Sequence, residues 1–156
     1  MGPSLLDRHA HHDIHDAARA EMELGTQILF ESAGGEDAAT ALRLARELAL
    51  GWRLRVLAHA DAEEQDLFPQ VQKLLPGLSD QVVAAMRDHE LMRLLLGEVE
   101  QELDREGRVT QGVLERLQAL LQIQRLHSLF EEETFLPELS GALKGAKKPT
   151  EGAQGA

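Results

Sequence analysis

Apolar residues recur along this chain at steps of three and four. Met92, Leu96, Val99 and Leu103 follow that spacing in one stretch, and Leu117, Leu120, Leu121, Ile123 and Leu129 form a comparable stripe in another. Such spacing lines up one apolar face of a helix. Nothing in the chain alternates as a strand would, and Ala, Leu, Glu, Gln and Arg, which lose least on entering a helix, outnumber Val, Ile, Thr and aromatic residues. Breakers divide the pattern into four. The spacing predicts a first helix capped by Ser4 and running to about Ser32, before Gly34 and Gly35. A second is predicted from near Asp37 to about Phe68, ahead of Pro69 and the Leu74–Gly77 breaker. Ser79 caps a third that ends near Arg105 with Gly107 just beyond, and Thr110 caps a fourth that ends at about Pro137.

Helices of about 27–32 residues measure roughly 40–48 Å at the usual rise. The short connections favour antiparallel neighbours, so the expected fold is all-α, an up-down-up-down four-helix bundle over residues 1–140. Residues 141–156 carry small side chains with Lys144, Lys147, Lys148 and Pro149, and are expected to form a flexible tail. A chain of 156 residues fits one domain with a core of its own.

Composition narrows the chemistry. The absence of cysteine excludes disulfides, thiolate metal sites, iron–sulfur clusters and thiol nucleophiles, and the absence of tyrosine excludes phenol ligands. The formal charge, 16 − 27 = −11, argues against nucleic acid as a partner. No run of 18 apolar residues is present to span a membrane, and the stretch from Met1 to His12 lacks the pattern of a secretory signal, so a soluble cytoplasmic protein is expected.

The candidate chemistry lies in a repeat. His59-Ala-Asp-Ala-Glu63-Glu64-Gln-Asp-Leu-Phe-Pro69 on the second helix and His127-Ser-Leu-Phe-Glu131-Glu132-Glu-Thr-Phe-Leu-Pro137 on the fourth both read H-x-x-x-E-E, with two apolar residues and then proline. The matched residues are offset by 127 − 59 = 68 positions throughout. One H-x-x-x-E arises readily by chance, but two in register with the second Glu and the Pro indicate duplication of a two-helix unit. Residues four apart share a helix face, so His59 projects with Glu63 and His127 with Glu131. Those faces are also the apolar ones, since Trp52 and Val56 precede His59 while Leu120 and Ile123 precede His127. A carboxylate aimed into a core needs a partner, and divalent iron or another first-row cation accepts both imidazole and carboxylate.

Duplication predicts one further His per half. The third helix offers His89, on a face with Met92, Leu96 and Val99. The first offers His9, His11, His12 and His15, of which His15 is preferred because Ala18, Met22 and Leu29 follow it. His11, one turn earlier on the same face, is the reserve candidate; His12 would place Arg19 on the same stripe but is left open as a ligand, and His9 reads as solvated. Glu64, Glu132 and Glu133 read as a solvated acidic face, Arg55 as either a partner of a site carboxylate or a surface ion pair, and Trp52 as core.

These residues resemble the hemerythrin-like, HHE cation-binding family over nearly the whole chain to Pro137. The family pattern falls on His15, on His59 with Glu63, on His89, and on His127 with Glu131. The resemblance implies a non-haem centre of two iron ions in the bundle, with terminal histidines and with Glu63 and Glu131 as bridges. It also implies binding of, or reaction with, O2, NO or peroxide, or a part in iron homeostasis. Two features depart from the oxygen carriers: Arg93 stands where they have a second His on the third helix, and the fourth helix has Glu131 and Glu132 in place of H-x-x-x-x-D. Those departures leave one iron with fewer protein ligands and an open position.

Other bundle chemistries fit less well. Ferritin-like sites need Glu-x-x-His, but Val56, Met86 and Gln124 stand three before the histidines. A bis-His haem leaves both glutamates unused, and a closed zinc site needs only four ligands. The alternative from another class is a metal-stabilised or metal-free bundle that serves as an interaction module.

Overall fold

A computed structural model describes residues 3–35 and 37–146 of the chain. Among them the secondary structure is entirely helical: α1 (Pro3–Leu6), α2 (Arg8–Ala33), α3 (Ala38–Gly51), α4 (Ala58–Ala62), α5 (Phe68–Leu74), α6 (Ser79–Glu106), α7 (Gln111–Thr134) and α8 (Leu136–Ala146). The second rod of the bundle joins α3, α4 and α5 through two π-helical turns, Trp52–Leu57 and Glu63–Leu67. The rods α2, α3–α5, α6 and α7 pack together as the expected four-helix bundle. None of the described helices is long and apolar enough to cross a membrane.

Two helix starts follow the sequence reading and two depart from it. The side chains of Asp37 and Thr110 accept backbone N–H bonds from Thr40 and Val113, as N-caps do. The first rod, however, is capped by Asp7, whose carboxylate accepts from the amides of His9 and Ala10, while Ser4 falls within the separate turn α1. A nearby carboxylate satisfies two free amides at once, so the chain breaks at Asp7. Helix α6 begins on Ser79 itself, with Leu78 at the cap position and no side-chain cap bond, because the Ser79 hydroxyl donates to the Pro76 carbonyl instead. At the far end of α6, Gly107 adopts the left-handed conformation (φ 62°) and its amide bonds the Leu103 carbonyl at 3.0 Å.

The second rod does not stop at Phe68. Proline inside an α-helix removes a hydrogen bond and strikes the carbonyl four residues back. Here the turn before Pro69 is π-helical, with the Phe68 amide bonded to the Glu63 carbonyl five residues back, and that wider turn lets the helix continue to Leu74. The fourth rod meets its equivalent Pro137 differently: α7 ends at Thr134, and Pro137 is the second residue of α8. Helix α8 continues to Ala146, across the first residues of the expected tail; the rest of that segment, 147–156, lies outside the described residues.

Two apolar clusters form the core. The larger contains Met22, Leu29, Trp52, Val56, Met92, Leu96, Val99, Leu103, Leu117 and Leu120. The smaller contains Leu67, Phe68, Val71, Val82, Ala85, Phe135, Leu136 and Leu139. Leu129, expected on the fourth stripe, is exposed. Buried polar side chains occupy the rods between the two clusters, which seals them from water along the bundle axis.

The cap at Gly107 provides a first test. An L-residue in a left-handed conformation costs about 1–2 kcal/mol, so Gly107→Ala should lower unfolding stability by about that amount in urea titration, with the helical circular dichroism spectrum retained.

Candidate metal centre

Five imidazoles and two carboxylates meet in that layer. His11, His15, Glu63, His89, His127 and Glu131 are buried, and His59 is half-buried. They form two groups whose candidate ligand atoms lie within 4.8 Å of one another: His11, His15, His59 and Glu63, and then Glu63, His89, His127 and Glu131. Glu63 belongs to both. Its Oε1 lies 2.9 Å from His11 Nε2, 3.4 Å from His15 Nε2 and 2.8 Å from His59 Nε2. Its Oε2 lies 3.2 Å from His89 Nε2 and 3.8 Å from His127 Nε2.

Glu131 repeats this split. Its Oε2 is 3.4 Å from His11 Nε2 and 3.7 Å from His15 Nε2, and its Oε1 is 3.5 Å from His127 Nε2. Each carboxylate therefore faces the imidazoles of the first rod with one oxygen and His127 with the other. The π turns bracket α4 on both sides, so His59 and Glu63 keep their four-residue register within a rod that is otherwise rewound.

All six residues singled out from the sequence are brought together, and His11 joins them. It was the reserve for His15, yet both enter the cluster, because residues four apart share a face. The signal was present: His11-x-x-x-His15 has the same spacing as the two His–Glu pairs. On the third rod the residue four before His89 is Ala85, which is buried in the smaller apolar cluster. One donor set accordingly has three histidines and the other two.

The second glutamates of the repeat are not the solvated face expected from the sequence. Glu64 Oε1 accepts from His89 Nδ1 at 2.7 Å, and Glu132 Oε1 accepts from His15 Nδ1 at 3.3 Å. Only Glu133 is exposed as expected. Consecutive helix residues point about 100° apart, so the first Glu turns inward while the second backs a His on the adjacent rod. The Leu5 carbonyl accepts from His11 Nδ1 at 3.3 Å. An imidazole held at Nδ1 in this way presents its Nε2 inward, the usual support of a metal-binding histidine. Arg93 anchors Glu64 at 2.9 Å and Asp61 at 2.6 Å, whereas Arg55 pairs with Glu21 at the surface. His12 spans Asp16 and Glu132 at the rim, and His9 is exposed.

The donors are poorly satisfied without a cation. His11 Nε2 and both oxygens of Glu131 are buried with no hydrogen-bond partner, despite their close neighbours. The Nε2 atoms of His89 and His127 approach to 2.9 Å, and those of His15 and His59 to 3.2 Å. Nitrogen and carboxylate donors in this arrangement suit first-row divalent ions, and a shared Glu63 suits two of them.

Protonation reflects the same crowding. Burial opposes charging His11, but Glu131 and Glu63 outweigh it and raise its pKa to about 10. Burial likewise opposes charging His127, and Glu131, Asp88 and Glu63 raise it to about 10. Burial works against ionisation of Glu63, but the close imidazoles of His11, His127, His15 and His59 hold its carboxyl well below the usual range.

Residues 7–139 match the family described as "Hemerythrin HHE cation binding domain". No curated protein and no solved structure matches the chain.

The raised histidines fix the sign of a pH effect. Their folded pKa values exceed the ordinary 6.5, so protonation stabilises the metal-free fold fully below 6.5 and that contribution disappears as pH rises through about 10. The depressed Glu63 contributes above its ordinary 4.5 and loses that contribution as pH falls toward its folded value. Thermal melts of the chelated protein should show a falling Tm from neutral pH to pH 10, and a flat profile would contradict the cluster's protonation.

Proposed function

The chain belongs to the hemerythrin HHE cation-binding domain family, and from that premise we propose that it is a non-haem di-iron protein that binds or reacts with O2, NO or peroxide. The observation that carries this reading is the sharing of Glu63 between two buried donor sets. In it, His11, His15 and His59 would hold one ion and His89 and His127 the other, with Glu63 and Glu131 available to both. A bound iron pair supplies exchangeable electrons and coordination positions for a small ligand.

The protein's own residues supply the rest. Glu132 and Glu64 orient His15 and His89 through their Nδ1 atoms, and Arg93 holds Glu64 in place. The apolar clusters on either side exclude water and strengthen the electrostatic interactions between the donors. With two imidazoles instead of three, the His89–His127 side has the smaller protein donor set, which supports exchange of a small ligand there. Storage or buffering of iron uses the same donors and differs only in which species leaves.

Metal analysis tests the reading. Reconstituted protein should carry about two irons per chain, show absorption that shifts with azide, and melt higher than the chelated form. His59→Ala, His127→Ala and His11→Ala should each lose iron, while His9→Ala should retain it. Iron uptake should release about two protons near neutral pH, from the raised His11 and His127. A colourless protein whose stability ignores chelation would instead favour a bundle that acts as an interaction module.

A further inference from the structure

A small cavity lies against the cluster on the side of the larger apolar core. Its lining includes His15, His59, His89 and His127, with Val56, Met92 and Gln124. Its volume is about 20 Å³. That exceeds the ~10–15 Å³ needed by one water and leaves no room for an organic substrate.

Gln124 brings a buried amide to this wall. It is 3% exposed, and its Oε1 is buried with no hydrogen-bond partner. It stands three residues before His127, where the duplicated half carries Val56 three residues before His59. Valine at that position has no polar group to satisfy, whereas an unpaired buried amide costs about 1–3 kcal/mol. The departure from the repeat leaves a buried amide oxygen at the cavity to which no protein group supplies a hydrogen bond.

We propose that the cavity is a binding site for one small polar occupant, held by the Gln124 amide: a water in the resting protein, replaced by a metal-bound ligand of one or two heavy atoms that hydrogen-bonds the amide. The water part is independent of the metal; the ligand part rests on the di-iron reading above. A primary amide offers both an acceptor and donors, so either end of it serves the occupant. A ligand that forms this hydrogen bond gains over one of equal size that forms it poorly. Gln124 thus biases the site toward polar ligands such as hydroxide, peroxide or cyanide, and away from neutral diatomics.

Two measurements test this. A high-resolution crystal structure of the metal-free protein should show an ordered water within hydrogen-bond distance of the Gln124 amide, absent in Gln124→Leu. An empty cavity, or a water that stays unchanged in the variant, would overturn the proposal. In iron-loaded protein, cyanide and NO provide a size-matched pair, each measured with the oxidation state that binds it. Gln124→Leu should lower the ratio of cyanide to NO affinity by about three- to tenfold, the worth of one net hydrogen bond. Equal weakening of both ligands would mean that Gln124 only shapes the wall, and an unchanged ratio would mean that the amide does not reach the ligand; either overturns the selectivity. Should Gln124→Leu fold poorly, Gln124→Val repeats the residue already present at Val56. A chain that binds no iron would sink the di-iron reading, and the water measurement would then decide the cavity alone.

Discussion

Two buried carboxylates set the terms for this bundle. An ionised Glu in an apolar interior is tolerated only if its charge is met from close range. Glu63 and Glu131 lie between two apolar clusters, and every rod contributes imidazole to surround them. In the metal-free chain protons on His11 and His127 supply part of the balancing charge. Cations would supply more, with the same donors, and would relieve the crowded nitrogen pairs. The cluster is therefore a layer whose charge must be filled, and the fold gives it access to little else.

The centre is nearly but not fully two-fold. Glu64 supports His89 and Glu132 supports His15, each across to a neighbouring rod, which is the duplication expressed in space. The departures from that symmetry are where function has room. His11 faces the cluster on one side while Ala85 fills the corresponding place on the other. Glu64 is tied to Arg93 and Asp61 lies beyond it, whereas Glu132 meets the half-exposed His12. Val56 and Gln124, matched in the repeat, both line the small cavity. Each difference makes one half of the centre unlike the other.

Much of this was legible in the sequence, for specific reasons. The offset repeat placed His59, Glu63, His127 and Glu131 on inward faces because a four-residue step is geometry within one helix. His89 followed from its apolar companions. What escaped depends on neighbours: the role of Glu64 requires knowing that the α6 rod lies beside it, and no periodicity encodes that. His11 and His15 both enter the cluster, since one helix face presents residues four apart together. Pro69 carried the signal of a helix end, but the π turn before it absorbed the clash, and backbone hydrogen-bond register cannot be read from residue types.

The proposed centre puts one carboxylate, Glu63, between two cations. Anomalous diffraction at the iron edge, from crystals of the iron-loaded protein, locates the ions directly. Two peaks are expected, one among His11, His15 and His59 and one beside His89 and His127, with Glu63 between them. A single peak, or iron bound only at the exposed His9 and His12, would contradict the proposed centre.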